Sequence, residues 1–494
     1  MTAHHPRHCF TLAVLTLALA LSLALGGCTA VRPGSQLPAL QARHDTSVPA
    51  AAGRPTTTAA NAASRAWWQD LRDPALDALV IQAQSRNLEL MAALATVREA
   101  RARAGAVAAD ARPQGGFGAQ AQATRPALTE VDPYRQGLPR PPEQRLVTVA
   151  QALSWEIDLF GRVGTAQAVA ERNVDAAQAD AHAAQALLQA EVVRRYVALR
   201  QAQQAGLLAD EQTRLAAQRL TLLKARVDAG IADPREADGA VAELAQQRAT
   251  AAGWAARLPV EQAALAVLLG ESPARPGQAL AALQASSALP AVPEDAVLTV
   301  PADLLSRRPD VARAHALLRA SIGQTVLAER AHLPRLSLAA TLGLQQATSR
   351  LGQANAVRYA AGPQLQWDWL DSGRRSAQTM AARAGEDRSR AQFEQTVLNA
   401  LADSESALRG WQASWQGWLQ AQASVQATAQ AAQYSRRRAA LGLEPSVQAL
   451  GARLQALDAR QQQIAQQAQV LGAYAQVQLA LGAWQPEVTT AVQP

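Results

Sequence analysis

Few side chains of this sequence stand where they could do covalent chemistry. Beyond the first ten residues, histidine occurs at His44, His182, His315 and His332. None has a second histidine, a cysteine or an acid at the spacing metal sites use, so all four read as surface or packing residues. Glu156 and Asp158 are paired carboxylates, the raw material of an acid–base couple. No nucleophile elbow or phosphate-cradling glycine loop accompanies them. Arg307, Arg308, Pro309 and Asp310 could hold an anion. The favoured reading is structural, with Pro309 opening a helix and Asp310 in its first turn. Trp411, Trp415 and Trp418 recur at helical spacing and read as a packing stripe. No enzyme, metal or cofactor is indicated.

Cys28 is the exception. A basic start with Arg7, an apolar run from Phe10 to Leu25 and a small-residue exit form a secretory signal. The run is short for a membrane-spanning helix of ~20 residues. Leu25-Gly26-Gly27-Cys28 resembles the bacterial lipoprotein cleavage site, at which the cysteine becomes the N-terminus and its sulfur carries a diacylglycerol. That lipid is the one covalent addition expected, and Thr29, rather than aspartate, favours sorting to the outer membrane. Each buried methylene contributes ~0.8 kcal/mol to such anchoring. Cys9 leaves with the signal, so no internal disulfide is possible in the mature chain.

The chain has 494 residues and a formal net charge of +7, with Lys224 its single lysine. Its arginines are scattered among acids rather than clustered on one face, which argues against nucleic-acid binding. Alanine and glutamine dominate and favour long helices. The length predicts more than one packing region.

Every chemical candidate sits inside a larger pattern, a tandem repeat. WEIDLFGR at 155–162 returns as WDWLDSGR at 367–374, 212 positions on, and the same step carries Gly230 onto Gly442. Upstream, residues 98–114 return at 319–335, 221 positions on, the difference being absorbed by a turn-rich loop at 125–142 in the first copy. Each copy reads helix, strand, loop, strand, long helix, turn, helix. The strands are placed at 113–125, 144–158, 334–346 and 357–369, and they alternate. Val147, Val149, Leu153, Trp155 and Ile157 oppose Thr148, Ala150, Ala152, Ser154 and Glu156; Leu336, Leu338, Leu342 and Leu344 oppose Arg335, Ser337, Thr341 and Gln345. Ten-residue alternation with aromatics near the ends fits transmembrane barrel strands, although a half-buried soluble sheet also alternates. Four strands cannot close a barrel, and open edges are not tolerated in lipid, so membrane-spanning strands would require several copies to share one barrel.

From Gly161 to about Ala229, and again from Arg374 to about Ala440, apolar residues recur at three- and four-residue steps without a proline. A helix of that length reaches ~100 Å. Glycine turns at 230 and 442 return the chain as helices to about Leu269 and Leu481, giving antiparallel hairpins with alanine-rich contact faces.

These residues together resemble the outer-membrane efflux family, the TolC-like channels of the lipoprotein (NodT-type) branch. Residues 67–90 and, most specifically, 302–320 with Arg307, Arg308, Pro309 and Asp310 carry the resemblance, and Trp155, Gly161 and Arg162 with Trp367, Gly373 and Arg374 match the family's strand–helix junctions. The implied fold is mostly α with a membrane β-barrel portion: four strands and long helical hairpins per chain, and a homotrimer with a twelve-stranded barrel and a twelve-helix periplasmic tunnel. The implied partners are outer-membrane lipid, a periplasmic adaptor and an inner-membrane pump of the resistance-nodulation-division type, with no nucleic acid. The resemblance places Gly230, Glu236, Gly442, Glu444 and Gln448 at the periplasmic tip that meets the adaptor. The residues that lock the best-known member are replaced here by Ala439, Glu444, Gln448 and Gly451, which implies weaker polar locking.

The expected organisation is a signal at 1–27, a lipid-anchored tether at 28–65, a first repeat at 66–270, a linker at 271–300, a second repeat at 301–482 and a tail at 483–494. The function implied is the exit duct of a tripartite efflux pump. The alternatives are a channel for type I protein secretion and a lipid-anchored periplasmic coiled-coil scaffold.

Overall fold

A computed structural model of the chain describes residues 66–127, 142–293, 307–347 and 356–483, with positions 130, 134, 137 and 139 between the first two stretches. The signal, Cys28, the tether, positions 301–306 and the tail beyond 483 lie outside the described residues.

A short 3-10 turn, Trp67–Leu71, leads into α1, Pro74–Arg86, and α2, Leu88–Ala109. Asp73 starts α1 by accepting from the amides of Ala75 and Leu76 at 3.0 and 3.3 Å, with Pro74 in the first turn. Strands β1, Gln114–Thr124, and β2, Gln144–Ile157, follow. Then come the 67-residue α3, Arg162–Asp228, and its 35-residue return helix α4, Pro234–Leu268. After a short α5, Gln278–Ala281, the second copy runs α6, Pro309–Arg330; β3, Arg335–Ala347; β4, Val357–Gln366; α7, Arg374–Ala440; and α8, Ser446–Ala480. The copies match element for element: α2 and α6 have 22 residues each, α3 and α7 have 67, α4 and α8 have 35.

The four strands form one antiparallel sheet in the order β1-β2-β3-β4. Its register gathers Gln120, Thr148, Gln345 and Arg358 on one face with small residues between, and Phe117, Val149, Leu342, Leu344, Tyr359 and Leu365 on the other. Among the described residues no layer covers the apolar face: Phe117 is 75% exposed, Leu342 60% and Tyr359 81%. A soluble half-buried sheet would bury those side chains, each worth ~1.5–3 kcal/mol when removed from water.

The fourth strand stops at Gln366, three residues before the sequence expectation of 369. Its partner strand ends there too, because Arg335 pairs with Gln366 and Pro334, next in line, has no amide hydrogen to donate. β2 reaches Ile157 because β3 also flanks it, pairing Ile157 with Leu336. In the single chain β4 has no such second neighbour.

The main core lies where the two repeats meet, around the N-terminal turn. Trp67, Trp68, Leu71, Leu76 and Leu79 pack against Val192 and Leu199 of α3, Leu265 of α4 and Leu471 of α8. Two buried tyrosines tie that turn down, Tyr196 donating to Asp73 at 2.6 Å and Tyr474 to Asp70 at 2.9 Å. Burial, with the Asp73 carboxylate, pushes the Tyr196 phenol up to about 12.

Candidate functional site

Three zones repeat between the copies: the junction of strand and long helix, a girdle where the return helix ends, and the hairpin tip.

At the first junction, Gly161 adopts φ +69, which lets the chain turn from β2 into α3. Asp158 accepts from the amides of Val163 and Gly164 at 3.0 and 2.9 Å, satisfying donors the first turn leaves free. Glu156 receives Arg162 through two hydrogen bonds of 2.8 and 2.7 Å. The paired carboxylates Glu156 and Asp158 are thus both engaged at the start of α3. Arg330 of α6 reaches across from the other repeat to the Gly161 carbonyl and the Thr165 hydroxyl. The Trp155 indole donates to the Ala111 carbonyl at 2.9 Å, and Trp367 repeats the bond to the His332 carbonyl at 3.0 Å. Both acceptors end the helix before the strand, so these tryptophans lock the turn between α2 and β1, or α6 and β3.

The second junction shifts by one position. The residue 212 on from Asp158 is Leu370, and Asp371 supplies the carboxylate, accepting from the amides of Gly373 and Arg375 at 3.1 Å each. Arg375, rather than Arg374, then binds Asp368, at 2.9 Å, and its side chain is only 11% exposed. Sequence matching placed the junction arginine at 374; the displaced aspartate moves it one residue on.

At the girdle, Arg308 precedes Pro309 and is buried. It donates to the carbonyls of Ala480 at 3.0 Å and Ala400 at 3.3 Å, and grips Asp310 through two bonds of 3.0 and 2.7 Å. Asp403 adds a further contact at 3.3 Å. Burial opposes the charge on Arg308, but the two aspartates outweigh it and hold the guanidinium above its ordinary value. Burial likewise works against the Asp310 carboxylate, and Arg308 overrides it, leaving that carboxyl below its ordinary range. The signature thus ties the start of α6, the middle of α7 and the end of α8. Arg307, beside it, lies with its backbone against Gly482, where an added Cβ would stand 3.1 Å away.

The first copy carries the same knot in neutral form. Asn87, 221 positions before Arg308, donates to the Leu268 carbonyl at 3.0 Å and accepts from the Leu90 amide at 2.9 Å. Gly270, 212 before Gly482, would place a Cβ 2.4 Å from the Arg86 carbonyl oxygen. Sequence reading missed Asn87, though the repeat step pointed to it.

The tips are built alike. Gly230 and Gly442 take φ +72 and +71, and each end-of-helix turn closes through matched amide bonds: Ile231 to Arg226 and Leu443 to Arg438, both 2.9 Å. Asp233 caps α4 through the Arg235 amide at 2.9 Å; Pro445 holds that place before α8. Glu236 and Gln448 are both exposed in the opening turns of α4 and α8. Glu444 is not a free acid, since Ser435 donates to it and Arg438 stands 3.3 Å away. Arg436 and Arg437 remain exposed beside it. Apolar Ile231, Leu441 and Leu443 are exposed at the very ends.

Between α3, α7 and α8 near the tips runs an apolar groove of about 750 Å³, with Leu222, Ala432 and Leu450 in its walls and Arg436 and Arg453 lining it. His182 and His315 are half-buried and burial lowers both; His315 also packs beside Phe393. Among the described residues no three His, Cys, Asp or Glu side chains gather as a metal site, and no helix is long and apolar enough to cross a membrane.

A family profile described as outer membrane efflux protein matches residues 79–271 and 300–483. The pyoverdine export outer membrane protein OpmQ of Pseudomonas putida is 30% identical over 405 residues, covering 80% of this chain and 81% of that protein. The fusaric acid resistance protein FusA of Burkholderia cepacia is 28% identical over 384 residues, 76% of this chain and 70% of its own. The solved outer-membrane channel OprN superposes with a TM-score of 0.76 at 27% identity, over 87% of this chain and 98% of that one.

Proposed function

The chain belongs to the outer membrane efflux protein family, and from that premise we propose that three copies, each anchored by lipid on Cys28, form one exit duct. Outer membrane efflux proteins are the outer-membrane components of pumps that also contain an adaptor and an inner-membrane transporter. In this reading substrate enters through the ring of hairpin tips and leaves through the shared barrel. The duct itself does no chemistry, and the pump supplies the energy. The relatives' names speak of pyoverdine export and fusaric acid resistance, and small organic cargo is proposed here too, handed on by a resistance-nodulation-division pump.

The observation that carries the trimer is an asymmetry between equivalent helices. α3 buries twenty-four residues and α7, of the same length, eight. Among the described residues, α3 is flanked chiefly by α1, α2 and α4 of its own repeat and by α6 and α8 of the other, whereas α7 is flanked chiefly by α6 and α8. The missing flank of α7 and the bare edges of β1 and β4 call for the same thing, the next copy. The uncovered apolar sheet face calls for lipid.

The tips would meet the adaptor through Gly230, Glu236, Gly442, Glu444 and Gln448. With Glu444 hydrogen-bonded by Ser435 and ion-paired with Arg438, Gln448 uncharged and Arg436 and Arg437 nearby, the second tip offers no acid ring to a divalent cation. Reconstituted in planar bilayers, the purified full chain should give discrete pores whose conductance is little changed by added magnesium or calcium. A protein that gives no pores and runs as a monomer would be a scaffold instead; strong divalent block would refute the account of the tip.

A further inference from the structure

The internal repeat also specifies, residue by residue, how one copy joins the next. Its two steps, 221 positions for the helix-to-strand half and 212 for the strand-to-helix half, can be tested on the sheet. Applied to the β1–β2 pair Gln114↔Ser154 they give Arg335↔Gln366, and applied to Ala123↔Arg145 they give Leu344↔Val357. Both are observed, as is every pair between them. The β1–β2 hairpin and the β3–β4 hairpin are one hairpin used twice, in one register.

A ring of such hairpins has a second kind of seam, between consecutive hairpins. Inside the chain that seam is β2–β3, observed with Ala152↔Thr341 and Ser154↔Ala339. Moving β2 forward by 212 gives β4, and moving β3 back by 221 gives β1, which can then only be the β1 of another copy. We propose that copies join with Gln364 of β4 opposite Gln120 of the partner's β1, Gln366 opposite the partner's Gly118 and Ala360 opposite the partner's Thr124. The proposal rests on the reading of the chain as one third of a barrel and fixes the seam within it.

Two features of the single chain agree with this register. Face parity is preserved: Gln364, Gln366, Gly118 and Gln120 all lie on the small and polar face, whereas a slip of one residue would turn glutamines to the apolar side. The same rule sets Trp369 opposite the partner's Gly115 and Trp367 opposite the partner's Phe117. Residues 367–369, which leave the strand in the single chain, thereby gain the second neighbour that holds their counterparts Trp155 to Ile157 in β2. β4 then extends to Trp369 only in the assembly.

Slips of two residues keep both faces, so they are the alternatives the test must separate. Directly opposed residues have Cβ atoms ~4.5–5.5 Å apart and diagonal ones ~7–8 Å, beyond disulfide reach. The full chain carrying Gln120→Cys with Gln364→Cys, and separately Gly118→Cys with Gln366→Cys, is oxidised in outer-membrane vesicles with copper phenanthroline. The single-cysteine variants give the background from Cys28. Both pairs should join subunits at least about tenfold faster than the shifted pair Gln122→Cys with Gln364→Cys. Native trimers that link fastest through the shifted pair, or through neither designed pair, would overturn the register and leave the duct standing. Wild-type material that stays monomeric would overturn both.

Discussion

Arg308 shows how much one side chain can carry. It is almost fully buried and binds the carbonyl that ends α8, a carbonyl in the middle of α7 and two carboxylates, joining three helices. Truncating one partner of a buried ion pair leaves the other charge uncompensated, typically at ~3–5 kcal/mol. Arg308→Ala should therefore destabilise the protein by about 3 kcal/mol, whereas Asn87→Ala, which removes the neutral version of the knot, should cost ~1–2 kcal/mol. Thermal unfolding followed by circular dichroism would rank them. Acid should act on the charged knot alone. Asp310 is held below the ordinary carboxylate range, so its contribution is fully present above its unfolded value of ~3.9 and is lost as the pH falls further, through its folded value. Asp310→Asn should flatten that part of the acid profile. The charged signature drew attention in the sequence because arginine beside proline and aspartate is unusual. Asn87 did not, although it binds the matching return-helix carbonyl, since an asparagine before a helix is common. Arg375 escaped for another reason. An insertion-like shift of one acid moves a salt bridge without changing the local pattern that a sequence comparison reads.

At the scale of elements, the glycines separate conformational from steric demands. Six sit in three equivalent pairs with positive φ: Gly161 and Gly373, Gly230 and Gly442, Gly270 and Gly482. At the tips an added Cβ meets nothing within 4 Å, so Gly442→Ala should cost only the left-handed backbone penalty of ~1–2 kcal/mol. Gly482→Ala adds a Cβ 3.1 Å from the Arg307 backbone, and Gly270→Ala one 2.4 Å from the Arg86 carbonyl. The expected order of loss is Gly270→Ala, then Gly482→Ala, then Gly442→Ala, read as falling temperatures of trimer dissociation on heated gels. An inverted order would mean that the girdle is looser than described. Helices, hairpin turns and strands were legible because alanine-rich three-and-four spacing and strict alternation are local signals. The end of β4 was not, because its length depends on what lies beside it. Tyr196 and Tyr474, holding the N-terminal turn from two repeats, were equally hidden: nothing in their neighbourhoods marks a partner 123 or 404 residues away.

For the whole molecule, the decisive distinction is between the two faces of a sheet that nothing covers in the single chain. Leu342 and Thr341 are adjacent in the middle of β3 and point to opposite sides, Leu342 level with Tyr359 and Gln151, Thr341 level with Ala152 and Ala360. If the apolar face meets hydrocarbon and the other a wet lumen, one charge placed at each position should have unlike effects. Arginine on a lipid face at mid-membrane costs ~2–4 kcal/mol, so Leu342→Arg should sharply reduce trimers in outer-membrane fractions. Thr341→Arg adds its charge where water can solvate it. It should assemble near wild-type levels and shift the pore's reversal potential toward anions, because three copies of the chain place three such charges around one lumen. A soluble scaffold would show neither contrast, since both side chains would be equally hydrated. A barrel turned inside out would reverse them. Efflux through the assembled duct then depends on the sheet in a simple way: every strand must present lipid with something apolar while keeping its hydrogen bonds to the next, and one chain supplies only enough strands for part of the circle.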